Sequence, residues 1–302
     1  MCLLTALCKP LRDNHRMLLT IGLPLALILI MFALGLGLTV SDFKRIAKFP
    51  KAFAVGALSQ FMLIPTIAFC VAVTFKMPPE FALGFVILGL CPGGPTSNIF
   101  TLLARGDVAL SVSLTAVFSL VCVVSIPLFL PLAAAFFLDV EATNINIAGL
   151  SIAMFSITIV PVVAGVVLRR QLKNPDRAEK AMTRVATVLT VVVILGAILT
   201  NYQLVLENIA TLGLAISVLI VSLMAAGALC SKIFRLETAQ ETAVTIGTGI
   251  QNGALGIAVG AIIAGSGDSI PPHSIPAGLY GIMMYFVCLP YVLARRQTAV
   301  VH

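Results

Sequence analysis

Cys91-Pro92-Gly93-Gly94-Pro95-Thr96-Ser97-Asn98 interrupts an otherwise apolar run that extends from Phe81 to Ala104. Proline has no N–H to continue a helical ladder and its ring collides with the preceding turn. Two prolines around a glycine pair therefore end a helix rather than bend it. Thr96, Ser97 and Asn98 are residues of the kind that cap a new helix start. The stretch reads as a helix, a break and a second half-helix, all within the length of one membrane crossing. Unwound backbone at that depth carries N–H and C=O groups that lipid cannot satisfy, so it must face protein or a watery cavity.

The surroundings make this a membrane segment. Nine runs lack Asp, Glu, Lys and Arg altogether: 17–41, 52–75, 81–104, 108–138, 142–168, 185–206, 208–231, 242–267 and 269–294, each at least 22 residues long. A helix needs roughly 20 residues to cross the hydrocarbon layer. The chain is 60% hydrophobic and only 10% charged, with a mean hydropathy of +1.10; a soluble domain would be about a quarter charged. The runs show no period-2 alternation, which disfavours a β-barrel. The expected fold is an all-α polytopic membrane protein embedded in the lipid bilayer, with nine transmembrane helices. A tenth is expected if residues 1–16, apolar only over Met1–Cys8, are the end of a helix that begins upstream. Otherwise 1–16 is an external segment.

The net charge of +7 is a topology signal rather than a sign of nucleic-acid binding. If every run crosses once, the connections holding Lys44 to Lys51, Arg105, Arg169 to Arg184, Lys232 and Arg235, and the tail with Arg295 and Arg296, share one side. They carry 15 basic residues against Lys76 alone on the other. The positive-inside rule places the C-terminus in the cytoplasm and the protein in the inner (plasma) membrane. Lys9, Arg12 and Arg16 then fall outside, against the rule.

A second run is interrupted differently. Gly247-Thr248-Gly249-Ile250-Gln251-Asn252-Gly253-Ala254-Leu255-Gly256 has no proline but combines four glycines with two amides. Small residues also serve close helix packing, but this run is the eighth and the Pro-Gly-Gly-Pro run the third. An offset of five crossings inverts topology. The chain from 17 to 302 then reads as one transporter domain built of two inverted repeats, 17–138 and 142–294, each with a broken helix. Paired broken helices in corresponding places point to a transporter's central site.

The residues there suit ions and no enzyme. No Lys or Arg lies within any run, so half-helix N–H groups and side-chain amides are the anion donors at that depth. This makes Thr96, Ser97, Asn98, Asn252 and Gly253 the candidate substrate-binding residues. Gln60, Ser111 and Thr115 are further polar positions, the last two on one helix face. No catalytic residues, phosphate-binding loop, metalloprotease helix or disulfide framework is present. His273, after Pro271 and Pro272, reads as a loop residue near the outer surface.

Cys91 to Asn98, followed by Leu-Leu-Ala-Arg-Gly-Asp-Val-Ala-Leu-Ser (102–111) and Thr115, resembles the first crossing-helix signature of the bile acid:sodium symporter family. Gly249-Ile250-Gln251-Asn252 resembles the second, and Ser59-Gln60-Phe61 a third short element. The resemblance implies ten helices (nine in some members) in a panel and a core domain, with substrate and sodium held where the broken helices cross. It implies a first sodium site of Ser97, Asn98, Ser111 and Thr115. It implies a second of Gln60, Gln251 and the carbonyls of Thr248 and Ile250. The implied cargo is a small organic anion, bile-acid-like or a pantoate-type carboxylate, with sodium as coupling ion and no other cofactor. Family members usually carry a glutamate five residues before the second motif's asparagine; here that position is Gly247, which weakens the expected sodium link. A sodium-independent carrier or a channel of related inverted-repeat fold is the alternative. The oligomeric state and the direction of transport are not readable.

Overall fold

The computed structural model describes residues 22–39, 49–138, 146–200, 202–264 and 271–298. The elements in chain order are α1 (Gly22–Gly37), α2 (Pro50–Thr74), α3 (Pro79–Leu90), α4 (Thr96–Leu103), α5 (Val108–Leu138), α6 (147–169), α7 (Pro175–Thr200), α8 (Tyr202–Ile233), α9 (Thr238–Gly249), α10 (Gly253–Ala264) and α11 (Ile275–Thr298). Among the described residues every regular element is helical, and the one β-type pairing is an isolated bridge between Gly93 and Gln251.

Among the described residues five helices are long and apolar enough to span a bilayer: Pro50–Thr74, Val108–Leu138, Ala148–Arg169, Leu206–Ile233 and Pro272–Gln297. The third and eighth uncharged runs each become two short helices, α3 with α4 and α9 with α10, split where the sequence is least able to stay helical. Of the first run, α1 supplies 16 described residues. Residues 1–21 and the connections 40–48, 139–145 and 265–270 lie outside the described residues, and with them the question of a tenth helix. At 31 and 32 residues, α5 and α8 are about 47 Å long, well beyond a hydrocarbon layer of about 30 Å, so they tilt or protrude. Many outward side chains are large and apolar, among them Leu132, Phe136, Val124 and Phe286, as a lipid-facing surface requires.

Two helices contain a widened π turn, over Ser59–Leu63 in α2 and Phe155–Ile159 in α6. Each is followed at once by a proline, Pro65 or Pro161. A proline cannot donate to the ladder, and the turn before it expands so that Ile64 N–H reaches Ser59 O and Val160 N–H reaches Phe155 O,. In α2 the widened turn carries Gln60.

The helices pack in two groups. α1 lies along α6 and α7. Gly35 and Gly165 permit that approach, because a methyl group on either would collide with backbone of the facing helix,. The other group gathers α2, α3 and α5 with α8 to α11 around one buried core, and α1 and α7 meet it along α10 and α11.

His273 is not a loop residue. It is the middle residue of the turn Pro272–Ser274 that leads into α11, is 9% exposed, and its Nε2 lies 2.8 Å from the carbonyl of Gly260. Glycines at 84 and 260 leave the space that its backbone and ring fill. The proline pair starts a helix here instead of ending one, since proline at the first helical positions sacrifices no hydrogen bond.

Candidate functional site at the crossing of two broken helices

The two breaks meet back to back. Gly94 N–H donates to Ile250 O at 3.1 Å and Asn252 N–H to Pro92 O at 3.0 Å, so the extended segments cross as a two-bond antiparallel pair. Each break satisfies part of the backbone that the other exposes, which is what permits both to sit inside the protein. Gly94 suits this contact: a Cβ there would stand a tight 3.1 Å from Gln251 O. Gly253, the first residue of α10, lies so close to α11 that a Cβ would be 2.7 Å from Ala277 O.

Around the crossing the expected residues fall into two hydrogen-bonded clusters. On one side Ser111 donates to Asn98 Oδ1 at 2.7 Å and receives the Thr101 hydroxyl at 3.4 Å. Thr115 follows one turn along the same face of α5 and is 4% exposed. Ser97 is fully buried and its hydroxyl has no partner. On the other side Gln60 Nε2 donates to Gly247 O at 2.9 Å, and Gln251 Nε2 to Thr248 O at 2.8 Å. Ile250 is present through its carbonyl, which already receives Gly94 N–H. Thr96 stands at the start of α4, where its Oγ1 accepts from Tyr285 at 3.3 Å. The Asn252 side chain caps α10 by accepting Leu255 N–H at 3.0 Å, the use expected of an N-cap amide.

Four atoms at the crossing are left over. Gln60 Oε1, Gln251 Oε1, Ser97 Oγ and Asn252 Nδ2 are buried without a hydrogen-bond partner. An unpaired buried polar group costs about 1–3 kcal/mol, and these four are gathered at one place. Three are oxygens and one is a donor.

Gly247 leaves real space. A Cβ built on it meets only Gln60 Nε2, at 3.9 Å. Glu241, the nearest carboxylate in sequence, does not fill the gap: it pairs with Arg295 at 3.1 Å, while Arg295 also reaches Thr242 Oγ1 at 3.0 Å.

A cavity of about 320 Å³ opens beside the crossing, between Gly94 to Thr96 and Gln251 to Ala254 on one wall and α1 and α7 on the other. Ile30 and Ala33 line it from α1, Thr183 and Thr187 from α7, and Tyr285 from α11. No charged side chain is among the described residues that line it. Three contributors carried no signal in the sequence as site residues. Tyr285 and Tyr280, the latter donating to Gly249 O at 2.8 Å, are two of three tyrosines in one otherwise apolar run. Thr183 sits in what reads as a charged connection.

Comparison with known proteins identifies a family and relatives for the chain. Residues 24–212 match the Sodium Bile acid symporter family. The chain is 30% identical over 258 residues to an uncharacterized sodium-dependent transporter of Bacillus subtilis (strain 168), covering 84% of this chain and 76% of that one. It is 30% identical to a probable chloroplastic sodium/metabolite cotransporter of Arabidopsis thaliana, over 84% of this chain and 62% of the relative. A sodium-dependent organic anion transporter of Bos taurus is 37% identical over 117 residues, 39% of this chain and 31% of that protein. The chain thus spans three quarters of the bacterial relative and less than two thirds of the plant one.

Proposed function

This chain belongs to the sodium bile acid symporter family, whose members are transporters rather than enzymes, and from that premise we propose that it carries a small organic anion by alternating access around the crossing. The observation that carries the reading is the set of four unpartnered atoms there. Asn252 Nδ2 and the N-terminal amides of α4 and α10 suit a carboxylate, since helix N-termini favour negative charge. Thr96, Ser97, Asn98, Asn252 and Gly253 are the substrate contacts in this reading. The cavity suits a compact metabolite carboxylate of the pantoate type.

The oxygens fit a hard cation in kind but not in charge. Ser97, Asn98, Ser111 and Thr115 form one cradle; Gln60, Gln251 and the Thr248 and Ile250 carbonyls form the other; every donor is neutral. Sodium, when bound, supplies positive charge beside the substrate anion. Charge count is one of the main controls on cation affinity, so without a carboxylate at 247 the cation is held weakly until the anion arrives. Gly247 also favours the second reading, a sodium-independent carrier, because Gln60 and Gln251 already satisfy the Gly247 and Thr248 carbonyls with their own N–H groups. The wider account comprises two inverted repeats, 17–138 and 142–294, and a multi-pass location in the plasma membrane with the basic connections and C-terminus cytoplasmic. Thermal-shift screening of the purified protein against a panel of carboxylates, in sodium and in potassium, tests the reading. A carboxylate that stabilises the wild type but not Asn252→Asp supports it.

A further inference from the structure

The seam between α1 and α7 continues beyond the cavity. Ala33 and Thr183 line the cavity, and one helical turn further from the crossing stand Gly37 on α1 and Glu179 on α7,. These two face each other: a Cβ on Gly37 would lie 3.5 Å from Cγ of Glu179. Thr183 Oγ1 lies 3.5 Å from Glu179 Oε1, and Thr187 donates to Thr183 O at 2.7 Å. Glu179, Thr183 and Thr187, four residues apart, thus form one polar stripe from the connection at 170–174 to the cavity wall.

We propose that Glu179 is a proton-controlled gate against anions at this end of the cavity. Ionised, it repels an organic anion that enters from the connection; protonated at a carboxylate oxygen, it is neutral and the anion passes. The inference rests on the reading of the cavity as an anion site.

The surroundings of Glu179 suit the role. It precedes the uncharged run that begins at Val185 and is half-buried, and burial pushes its carboxyl above the usual range. The Thr183 hydroxyl pulls it back down, as do Lys180 and Arg169, while Asp176 pushes it up. Arg169, on α6, is engaged elsewhere: it pairs with Asp176 at 3.0 Å and donates to Leu36 O at the end of α1. The described part of α1 carries no charged residue. On α11, Arg295 is held by Glu241 and Arg296 is exposed; Lys232 closes the far end of α8.

The test needs no identified substrate. A cysteine is placed inside the gate by Thr187→Cys, and its modification by an anionic methanethiosulfonate (ethylsulfonate) and by the neutral methyl methanethiosulfonate is followed by site-resolved mass spectrometry. The anionic-to-neutral rate ratio cancels the pH dependence of the thiol. With Glu179 present the ratio at position 187 rises several-fold as pH falls from 8 to 5.5, the size of effect expected of one charge within two helical turns. Glu179→Gln makes the ratio high and flat, Glu179→Asp keeps the slope, and a reference cysteine at exposed Asn174 shows none. A ratio at 187 with the same pH slope in wild-type and Glu179→Gln backgrounds overturns the proposal. If the slope depends on Glu179 while no carboxylate binds the protein, the gate stands and the carrier reading fails. A bound carboxylate with a Glu179-independent slope has the opposite meaning.

Discussion

Gln60 on α2 donates its amide hydrogen to the carbonyl of Gly247 on α9 at 2.9 Å, joining positions 187 residues apart. The bond passes beside the space over the Gly247 α-carbon, where a Cβ would lie 3.9 Å from Gln60 Nε2, and it orients the Gln60 amide with nitrogen toward the carbonyl and oxygen left without a partner. A cation at this point would need that oxygen. The Gly247 and Thr248 carbonyls are therefore already taken by the amide hydrogens of Gln60 and Gln251, and an ion at those carbonyls must compete with them.

Gly247→Glu should convert this cradle into a tighter one. A Cβ at position 247 meets only Gln60 Nε2, at 3.9 Å, and a carboxylate supplies the charge that neutral oxygens lack. Sodium affinity, read from sodium-dependent thermal stabilisation against a potassium control, should improve at least tenfold, or about 1.4 kcal/mol. An unchanged midpoint would show that charge at position 247 does not limit cation binding.

Asn252 has two separable tasks. Its Oδ1 caps α10 through Leu255 N–H, worth about 1 kcal/mol, and its Nδ2 is the unpartnered donor. Asn252→Ala loses both; Asn252→Asp keeps the cap and loses the donor. Both should weaken carboxylate binding at least tenfold, and only the alanine variant should lose the cap's contribution to stability. Ser156→Ala, at an exposed site on α6, should leave binding unchanged. Wild-type affinity in Asn252→Asp would remove the donor from the site.

Tyr280→Phe should destabilise the second break without touching the cavity. The buried hydroxyl is the donor to Gly249 O at 2.8 Å, and its removal leaves that carbonyl without its tyrosine partner, at a cost of about 1–3 kcal/mol. A lowered unfolding midpoint in detergent is expected, with carboxylate affinity changed little in the protein that remains folded.

Glu241→Gln should leave sodium dependence untouched, because Glu241 is held by Arg295 at 3.1 Å rather than turned toward the crossing. The pair is partly exposed, 15% and 22% for the two side chains, so its loss should cost no more than about 1 kcal/mol. Weakened sodium dependence in this variant would mean that Glu241 reaches the ion in another conformation.

The positions of the breaks were legible in the chain, because Pro92 and Pro95 forbid a continuous helix and four glycines with two amides at 247–256 sustain one poorly. That the breaks pair was not. The Gly94–Ile250 and Asn252–Pro92 bonds join segments more than 150 residues apart, and nothing local encodes their register. The expectation that Gln60, Ser111 and Thr115 belong to a cation cradle came from resemblance; the hydrogen-bond partners of Gln60 and Ser111 came only with the fold. Thr183 and Glu179 were hidden by sitting in a charged stretch that reads as a connection, whereas α7 begins at Pro175 and carries that stretch along the cavity. His273 was misread for a related reason: Pro271-Pro272 reads as a loop, but the space that buries the histidine is made by Gly84 and Gly260 on other helices.

Sodium titration into the substrate-free wild-type protein, followed by calorimetry, tests the central claim most directly. Neutral oxygens, with amides already occupying the carbonyls, predict no saturable sodium binding below the millimolar range, and binding that tightens when a transported carboxylate is also present. Tight, saturable sodium binding without any carboxylate would contradict the account.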